Sequence, residues 1–552
     1  MRQRSPQPFL RIPPFPRRRV TSLAIAADGT RHTRDEIAAF ASALRSAKVG
    51  GTFWGARPEL PDGRRVLLVP SSPQQAWQLQ DAAAERGEAA SCILIGPHAS
   101  RHAIPVMNEE CDPWHLVAHA DRVVADADSE MLAVAALFGR PATSIDDGPW
   151  AGLTDANAAA ETILRGWNWI DPFTGKSMGA LEAAALLESW RELIDANRGI
   201  DAIAGVADWK RVTTDALLWG GAPAFRDRRY RKSAWSLDKS SRIATWKSRT
   251  APAVMSMIER SGGRIGEIED GFIRSVGLGA NCVPPLSIIV DWSGVYFDPS
   301  GPSDLEAILA EADIPKALQD RAARLRGRLV SAGIGKYGRS TERVEIGKSG
   351  RRRVLVPGQV ADDRSLASGG GGLTNLGLLQ KARELEPDAW IIFRPHPDVE
   401  AGHRAGYIAE DRVLVFADEI DRSGPIAGLM ESVDAVHTLT SLAGFEALMR
   451  GKQVTTHGTP FYSGWGLTRD LAPQPPRRGR KRSLDELVAA TLILYPRYLD
   501  PVTRLPCPAE IVADRLDNDH GRISSPLVLL REVQGRAIIM GRTALQFVRG
   551  TS

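Results

Sequence analysis

Val354-Leu-Val-Pro357, the glycine loop Gly369 to Gly372, a helical stretch from Leu376 to Glu386 and then Trp390-Ile-Ile-Phe393-Arg394-Pro395-His396 form the segment whose reading decides the fold. Two apolar runs too short for helices, separated by a turn and an amphipathic stretch, have the pattern of parallel strands joined by a crossover helix. The same grammar occurs upstream. Arg65-Val66-Leu-Leu-Val69-Pro70 and Cys92-Ile-Leu-Ile95-Gly96-Pro97-His98 flank a helical stretch from Gln75 to Arg86. The expected fold class is α/β, with doubly wound parallel sheets that bind ligands outside the carboxyl ends of their strands.

The likeness between the two regions extends to a degenerate internal repeat. Asp128-Ser129-Glu-Met-Leu-Ala-Val-Ala-Ala-Leu-Phe-Gly139-Arg140-Pro-Ala-Thr143 aligns without gaps on Thr440-Ser441-Leu-Ala-Gly-Phe-Glu-Ala-Leu-Met-Arg-Gly451-Lys452-Gln-Val-Thr455. Trp169-Ile-Asp171-Pro172-Phe-Thr174 likewise aligns on Tyr498-Leu-Asp500-Pro501-Val-Thr503. Where the second copy has Asp363, His437 and Glu446, the first has Gln75, Ala125 and Val134, so it reads as a scaffold that has lost its chemistry.

At 552 residues, 43% hydrophobic and 25% charged, the chain is long enough for several cores. Seventy basic and 66 acidic residues leave a net charge of only +4, which gives no case for nucleic acid. Basic residues cluster in Arg17-Arg18-Arg19, Arg226 to Lys232, Arg351-Arg352-Arg353 and Arg477 to Arg482; such clusters suit solvated faces or anionic head groups. The four cysteines, Cys92, Cys111, Cys282 and Cys507, show neither metal nor disulfide spacing. No run approaches the ~18–20 apolar residues of a membrane span, and Met1 to Arg19 lacks the apolar core of a secretory signal. The expected location is cytoplasmic, with any membrane contact made at the surface.

Polar motifs follow the apolar runs. Glu269-Asp270-Gly-Phe-Ile-Arg274-Ser275-Val-Gly-Leu-Gly279 sets two carboxylates and an arginine among glycines, which suit close approach of backbone to a ligand. Gln359-Val-Ala-Asp362-Asp363-Arg-Ser365, Arg394-Pro-His396-Pro397-Asp398 and His437-Thr-Leu-Thr440-Ser441-Leu-Ala-Gly444-Phe-Glu446 are expected to converge on the same cleft. Ser441 reads as a helix cap beside an anion site, Gly444 as permitting close approach, and Glu446 as a hydrogen-bond acceptor for a ribose or base. His396, stiffened between prolines, suits a phosphate or carboxylate, with Arg394 supporting it. Asp126-Ala-Asp128 and Asp517-Asn-Asp519 have DxD spacing, but this short pattern recurs by chance, and no metal is expected.

These motifs, with Thr455-Thr456-His457-Gly-Thr-Pro460-Phe-Tyr462-Ser-Gly464-Trp465-Gly466 and Tyr495-Pro-Arg497-Tyr498-Leu-Asp500-Pro501, resemble the capsule-polysaccharide β-Kdo transferases of Gram-negative bacteria, the KpsC or LipB type. The resemblance covers residues 200–515 well and the first copy weakly. It implies a GT-B-like pair of Rossmann-type domains: 196–345 on the acceptor side and 346–515 on the nucleotide-sugar donor side. Before them come a disordered basic, Pro-rich tail (1–35) and a degenerate Rossmann-like half-module (36–195); a C-terminal extension (516–552) follows.

The resemblance further implies a retaining transferase. It would move Kdo, an acidic keto sugar, from CMP-Kdo to a phosphatidylglycerol-type glycolipid, peripherally on the inner membrane, with a capsule assembly complex as a further partner and with no cofactor. Members commonly carry two complete catalytic modules, whereas this chain has one intact and one truncated, so a single linkage type is expected. Retention by two inversions needs a carboxylate nucleophile and an acid/base group. By resemblance Asp363 is the nucleophile, with Asp362 its rival and Gln359 and Ser365 beside it. Donor binding would fall to Arg394, His396, Pro397, His437, Thr440, Ser441, Gly444 and Glu446. Glu269 and Asp270 are both acid/base candidates; if the backbone is extended there, only one enters the cleft. Arg274 and Ser275 are assigned to the acceptor or sugar. A non-catalytic assembly or export factor that binds the glycolipid is the competing class, and an inverting GT-B transferase or an epimerase the third.

Overall fold

The computed structural model describes residues 8–26, 31–107, 110–221, 228–275, 282–335, 338–339, 350–400, 404–424, 426–518, 520–521 and 523. Two compact units emerge: residues 1–200 with 218–228 and 502–505, and residues 201–217 with 229–501 and 506–552. Among the described residues no helix is long and apolar enough to cross a membrane. Asp519, Arg226, Gly279 and the extension beyond residue 523 lie outside the described residues.

The first unit is built on a parallel sheet in the order Val106–Met107, Cys92–Ile95, Val66–Val69, Arg122–Ala125, Ala142–Ser144. Leu67, Ile93, Leu94 and Val123 are fully buried, which is why these strands read as continuous apolar runs rather than alternating ones. The helix Glu130–Phe138 starts at Ser129, whose hydroxyl accepts from Met131 N, and stops at Gly139 in the left-handed region.

Among the described residues the second unit holds two six-stranded sheets and a two-stranded one, Ile334–Gly335 with Gly338–Arg339. One is parallel throughout, in the order Glu419–Ile420, Trp390–Arg394, Arg353–Pro357, Ala435–Thr438, Gln453–Thr456, Arg469–Asp470. Taken by chain order, the first five strands here and the five of the first unit share one permutation, with the first strand third in line and the fourth beside it. The helix Leu442–Met449 is capped by Ser441 and followed by Gly451 in the left-handed region, matching Ser129 and Gly139 of the first copy. The other sheet is mixed. Ala202–Ala204, Arg242–Thr245 and Arg264–Asp270 run parallel, while Ser287–Asp291, Arg497–Leu499 and Pro506–Cys507 continue it antiparallel. The α/β class and the paired-sheet plan hold.

Two domain expectations are corrected. Residues 8–26 are not a disordered tail: Phe9, Leu10, Ile12 and Phe15 are buried, Arg11 forms a two-armed ion pair with Glu130 (2.7 Å each), and Ala24–Ala26 pairs with Trp167–Ile170. Phe15 lies against Trp190 and Trp219. Its apolar residues are spaced among prolines without periodicity, so the sequence shows no element there. Residues 497–499 and 506–507 also leave the donor-side domain to join the sheet of residues 202–291, and strands this short carry no detectable alternation.

Candidate active site

The strand Arg264–Asp270 delivers its last acids alternately to its two faces. Glu267 and Glu269 share one face. Glu267 is wholly buried and bound by Lys247 Nζ (2.9 Å) and Arg364 Nη1 (2.6 Å). The same Arg364 nitrogen reaches Glu269 Oε1 at 2.9 Å, joining this strand to the loop after Arg353–Pro357. Burial pushes the Glu269 carboxyl up to about 7; Arg364 opposes the shift, and the Glu267 and Asp270 charges add to it.

Asp270 faces the other way, into an ion-pair triad with Lys210 Nζ (2.9 Å) and Arg274 Nε (2.8 Å). Burial alone would raise its carboxyl, but the two cations outweigh this and hold it below the ordinary value. Burial lowers Lys210 to about 8, against the pull of Asp270, and its ammonium lies 3.2 Å from the centroid of the Trp246 ring. Arg274 also donates to Ser275 Oγ (2.8 Å) and Val283 O (3.0 Å). Arg274 and Ser275 are both buried, so neither presents itself to an acceptor. Gly271 admits the neighbouring strand rather than a ligand, since a Cβ there would fall 2.3 Å from Ser287 Oγ.

The second sheet brings Gln359, Asp363, Ser365 and Thr440 into one network where adjacent strands end. Gln359 donates to Thr440 Oγ1 (3.0 Å) and accepts from Thr440 N (2.9 Å). Its own backbone is clasped by Asn375 on both sides (2.9 and 2.7 Å). Asp363 caps the helix Arg364–Gly369 with Oδ1, which accepts from Ser365 N (2.8 Å) and Oγ (2.7 Å); Ser365 Oγ lies 3.2 Å from Thr440 Oγ1. Asp363 Oδ2 has no partner among the described residues. Asp362 instead projects outward to Arg404 (3.0 Å).

The remaining donor-side candidates divide. His396 is half-buried, accepts from Asp398 N on Nδ1 (3.2 Å), and lines a shallow groove with Gly358, Asn375, Tyr407 and Arg422. Pro397 opens the short helix Pro397–Glu400. Arg394 turns away from His396 to hold the loop at Asp421, Ser423 O (2.6 Å) and Gly424 O. His437 has no exposed surface: its Nδ1 lies 3.1 Å from His457 Nε2 inside the domain, so it meets no ligand here. Burial lowers His437 to about 3 and His457 to about 4, which leaves both rings neutral.

Ser441 caps its helix as expected, accepting from Ala443 N (3.2 Å). Gly444 serves a different purpose from the expected one. A Cβ there would lie 2.2 Å from Tyr462 Oη, and that hydroxyl donates to Ser441 O (2.6 Å). Glu446 is buried and borders a small apolar pocket lined by Phe272, Leu329, Phe445 and Leu492. In the first copy, Asp126 accepts from Ser71, Gln75 and Asp128 N, an internal network. Among the described residues no three His, Cys, Asp or Glu side chains gather as a metal site.

Sequence reasoning missed Arg364, Glu267 and Lys210. The first stands inside the Asp363-Arg-Ser365 motif and the second two residues before Glu269, a strand spacing; Lys210 lies far away in sequence and gave no signal.

Residues 242–333 and 328–498 match the family described as capsule polysaccharide biosynthesis protein. The capsule polysaccharide modification protein LipA of Neisseria meningitidis serogroup A is 34% identical over 444 residues, 75% of this chain and 62% of that protein. The lipopolysaccharide-processing protein LpsZ of Rhizobium meliloti is 48% identical over 236 residues, 42% of this chain and 53% of that protein. The chain thus spans less than two thirds of the length of either relative. A solved structure, Thermosulfurimonas dismutans KpsC, beta Kdo 2,4 transferase, is 36% identical and covers 50% of this chain and 87% of its own, with a TM-score of 0.46.

Proposed function

The chain belongs to the capsule polysaccharide biosynthesis protein family, and from that premise we propose that it is a retaining glycosyltransferase that moves Kdo from CMP-Kdo to a lipid-linked acceptor in capsule synthesis. The observation that carries the reading is the arrangement around Arg364. A part-buried carboxyl raised to about 7, Glu269, is held 2.9 Å from the guanidinium of the residue next to Asp363. The base candidate thus touches the cation that follows the nucleophile candidate in the chain. The Kdo donor itself rests on the motif resemblance, and the names of LipA and LpsZ agree with work on a surface polysaccharide.

In the first step Asp363 Oδ2 attacks the anomeric carbon, and the carbon–oxygen bond to CMP breaks with its electron pair leaving on the phosphate. In the second, the acceptor oxygen attacks from the opposite face, its proton passes to Glu269, and the Asp363 carboxylate departs. Two inversions give retention. Glu269 is the base in this scheme because Asp270 is neutralised by Lys210 and Arg274. Asp363 is the nucleophile because Asp362 is turned out to Arg404. Ser365, Thr440 and Gln359 fix Asp363, and His396 and Glu446 border the donor's nucleotide. The reading includes a phosphatidylglycerol-type acceptor met at the cytoplasmic face of the inner membrane, and neither cofactor nor metal.

Intact-protein mass spectrometry with CMP-Kdo generated in situ tests the scheme, with Asp363→Asn as control. A Kdo-sized adduct that needs Asp363 and disappears when a β-Kdo glycolipid is added is expected. Neither adduct nor product with any Kdo acceptor would turn the conclusion to a non-catalytic factor that binds glycolipid.

A further inference from the structure

We propose that Arg364 reads the carboxylate of the donor sugar and thereby selects a ulosonic acid over a neutral sugar; the inference rests on the functional reading above. A ulosonic acid carries its carboxylate on the anomeric carbon, the atom under attack. The cation that recognises this group must therefore lie beside both the nucleophile and the base. Arg364 follows Asp363 in the chain and touches Glu269 at 2.9 Å.

The guanidinium has an edge to spare. Nη1 makes both carboxylate contacts, to Glu267 (2.6 Å) and Glu269 (2.9 Å), while Nε and Nη2 have no hydrogen-bond partner among the described residues. The side chain is 41% exposed. Its carbon lies 4.9 Å from the centroid of the Phe297 ring, which steadies the plane. An Nε/Nη2 edge is the pair of parallel donors that binds a carboxylate in two-pronged fashion.

The other nearby cations fit less well. Arg274 is 1% exposed and spends its donors on Asp270, Ser275 and Val283. Arg394 is taken up by the 421–424 loop. Lys210 is buried against Trp246 and paired with Asp270. Lys247 is partly exposed, but it is a point charge paired with Glu267 and lacks the fork. Among the described residues, the contacts around the acid strand thus leave one open planar donor pair at the reacting centre.

Donor KM in transfer assays with CMP-Kdo generated in situ, and the Kd of CMP alone by calorimetry, are compared for the wild type, Arg364→Gln and Arg364→Lys. Loss of a two-pronged charged contact is expected to raise donor KM about 10- to 100-fold in Arg364→Gln. CMP affinity should stay unchanged, with Arg364→Lys in between on donor KM; the thermal midpoint should fall in Arg364→Gln, because the buried Glu267 loses one of its two cations. An unchanged donor KM with only a displaced pH profile would assign Arg364 to tuning Glu269 and overturn the proposal. Equal weakening of CMP would overturn it too, as a general disturbance of the site. A wild type that transfers no Kdo sinks the donor reading and this proposal together, whereas an active wild type with an indifferent Arg364→Gln sinks this proposal alone.

Discussion

Lys210 Nζ and Asp270 Oδ1 lie 2.9 Å apart, with the ammonium 3.2 Å from the centroid of Trp246 and almost no exposure. The pair joins the turn before the helix Arg211–Leu217 to the end of the acid strand. Loss of Asp270 strands the buried Lys210 ammonium, while loss of Lys210 leaves Asp270 to Arg274 alone. Lys210→Met is expected to destabilise the protein by about 2–4 kcal/mol, and Lys210→Met with Asp270→Asn by less than the sum of the single changes. Urea unfolding of the four forms measures the coupling, and strict additivity would show that the pair does not interact.

Glu269 has two pH signatures. As the base it acts when deprotonated, so the transfer rate should climb through about pH 7 and the climb should vanish in Glu269→Gln. Asp270→Asn should move the climb to lower pH, because the Asp270 charge helps to raise Glu269. The folding signature has the opposite direction. The folded carboxyl titrates above its usual 4.5, so the folded chain binds more protons and stability falls as pH rises from there to about 7. Glu269→Gln should therefore gain on the wild type above pH 7 by about 3 kcal/mol. Equal pH slopes for both proteins would refute the shift.

The His437–His457 pair makes the protein acid-sensitive. Both rings titrate well below the usual 6.5 when folded, at about 3 and about 4, so the unfolded chain takes up protons first as pH falls. Stability present above about pH 6.5 should be lost progressively toward pH 4. His437→Asn should flatten this dependence, as followed by the denaturation midpoint across that range. The transfer rate near neutral pH should change only as far as stability does, since the ring is buried.

Gly444→Ala should fail for lack of room. Its Cβ would lie 2.2 Å from Tyr462 Oη and 2.7 Å from Cζ, so the ring must move and give up its bond to Ser441 O. Overpacking of this kind costs about 1–3 kcal/mol. Tyr462→Phe removes the nearest atom and should recover part of the loss in the double variant. Absence of any recovery would place the strain elsewhere.

Much of the architecture was legible because burial writes itself into short apolar runs. Val66–Val69, Cys92–Ile95, Arg353–Pro357 and Trp390–Arg394 lie close to where their runs predict. Ser129 and Ser441 cap the helices that the repeat aligns, because capping depends on residues adjacent in the chain. The ordered segment from Phe9 to Phe15 was not legible, since irregular chain fixed by distant aromatic partners has no period.

By itself the sequence determined which chemical groups are available at the strand ends and the duplicated strand-and-helix plan, both of which follow from local geometry. Tertiary structure alone decided what each group meets. It turned His437 inward against His457, gave Arg394 to a loop and Arg274 to Asp270, demanded Gly444 for the sake of Tyr462, and carried Arg364 across to Glu269. Charge pairing, desolvation and steric room depend on residues brought together from far along the chain, and no spacing within a motif encodes them.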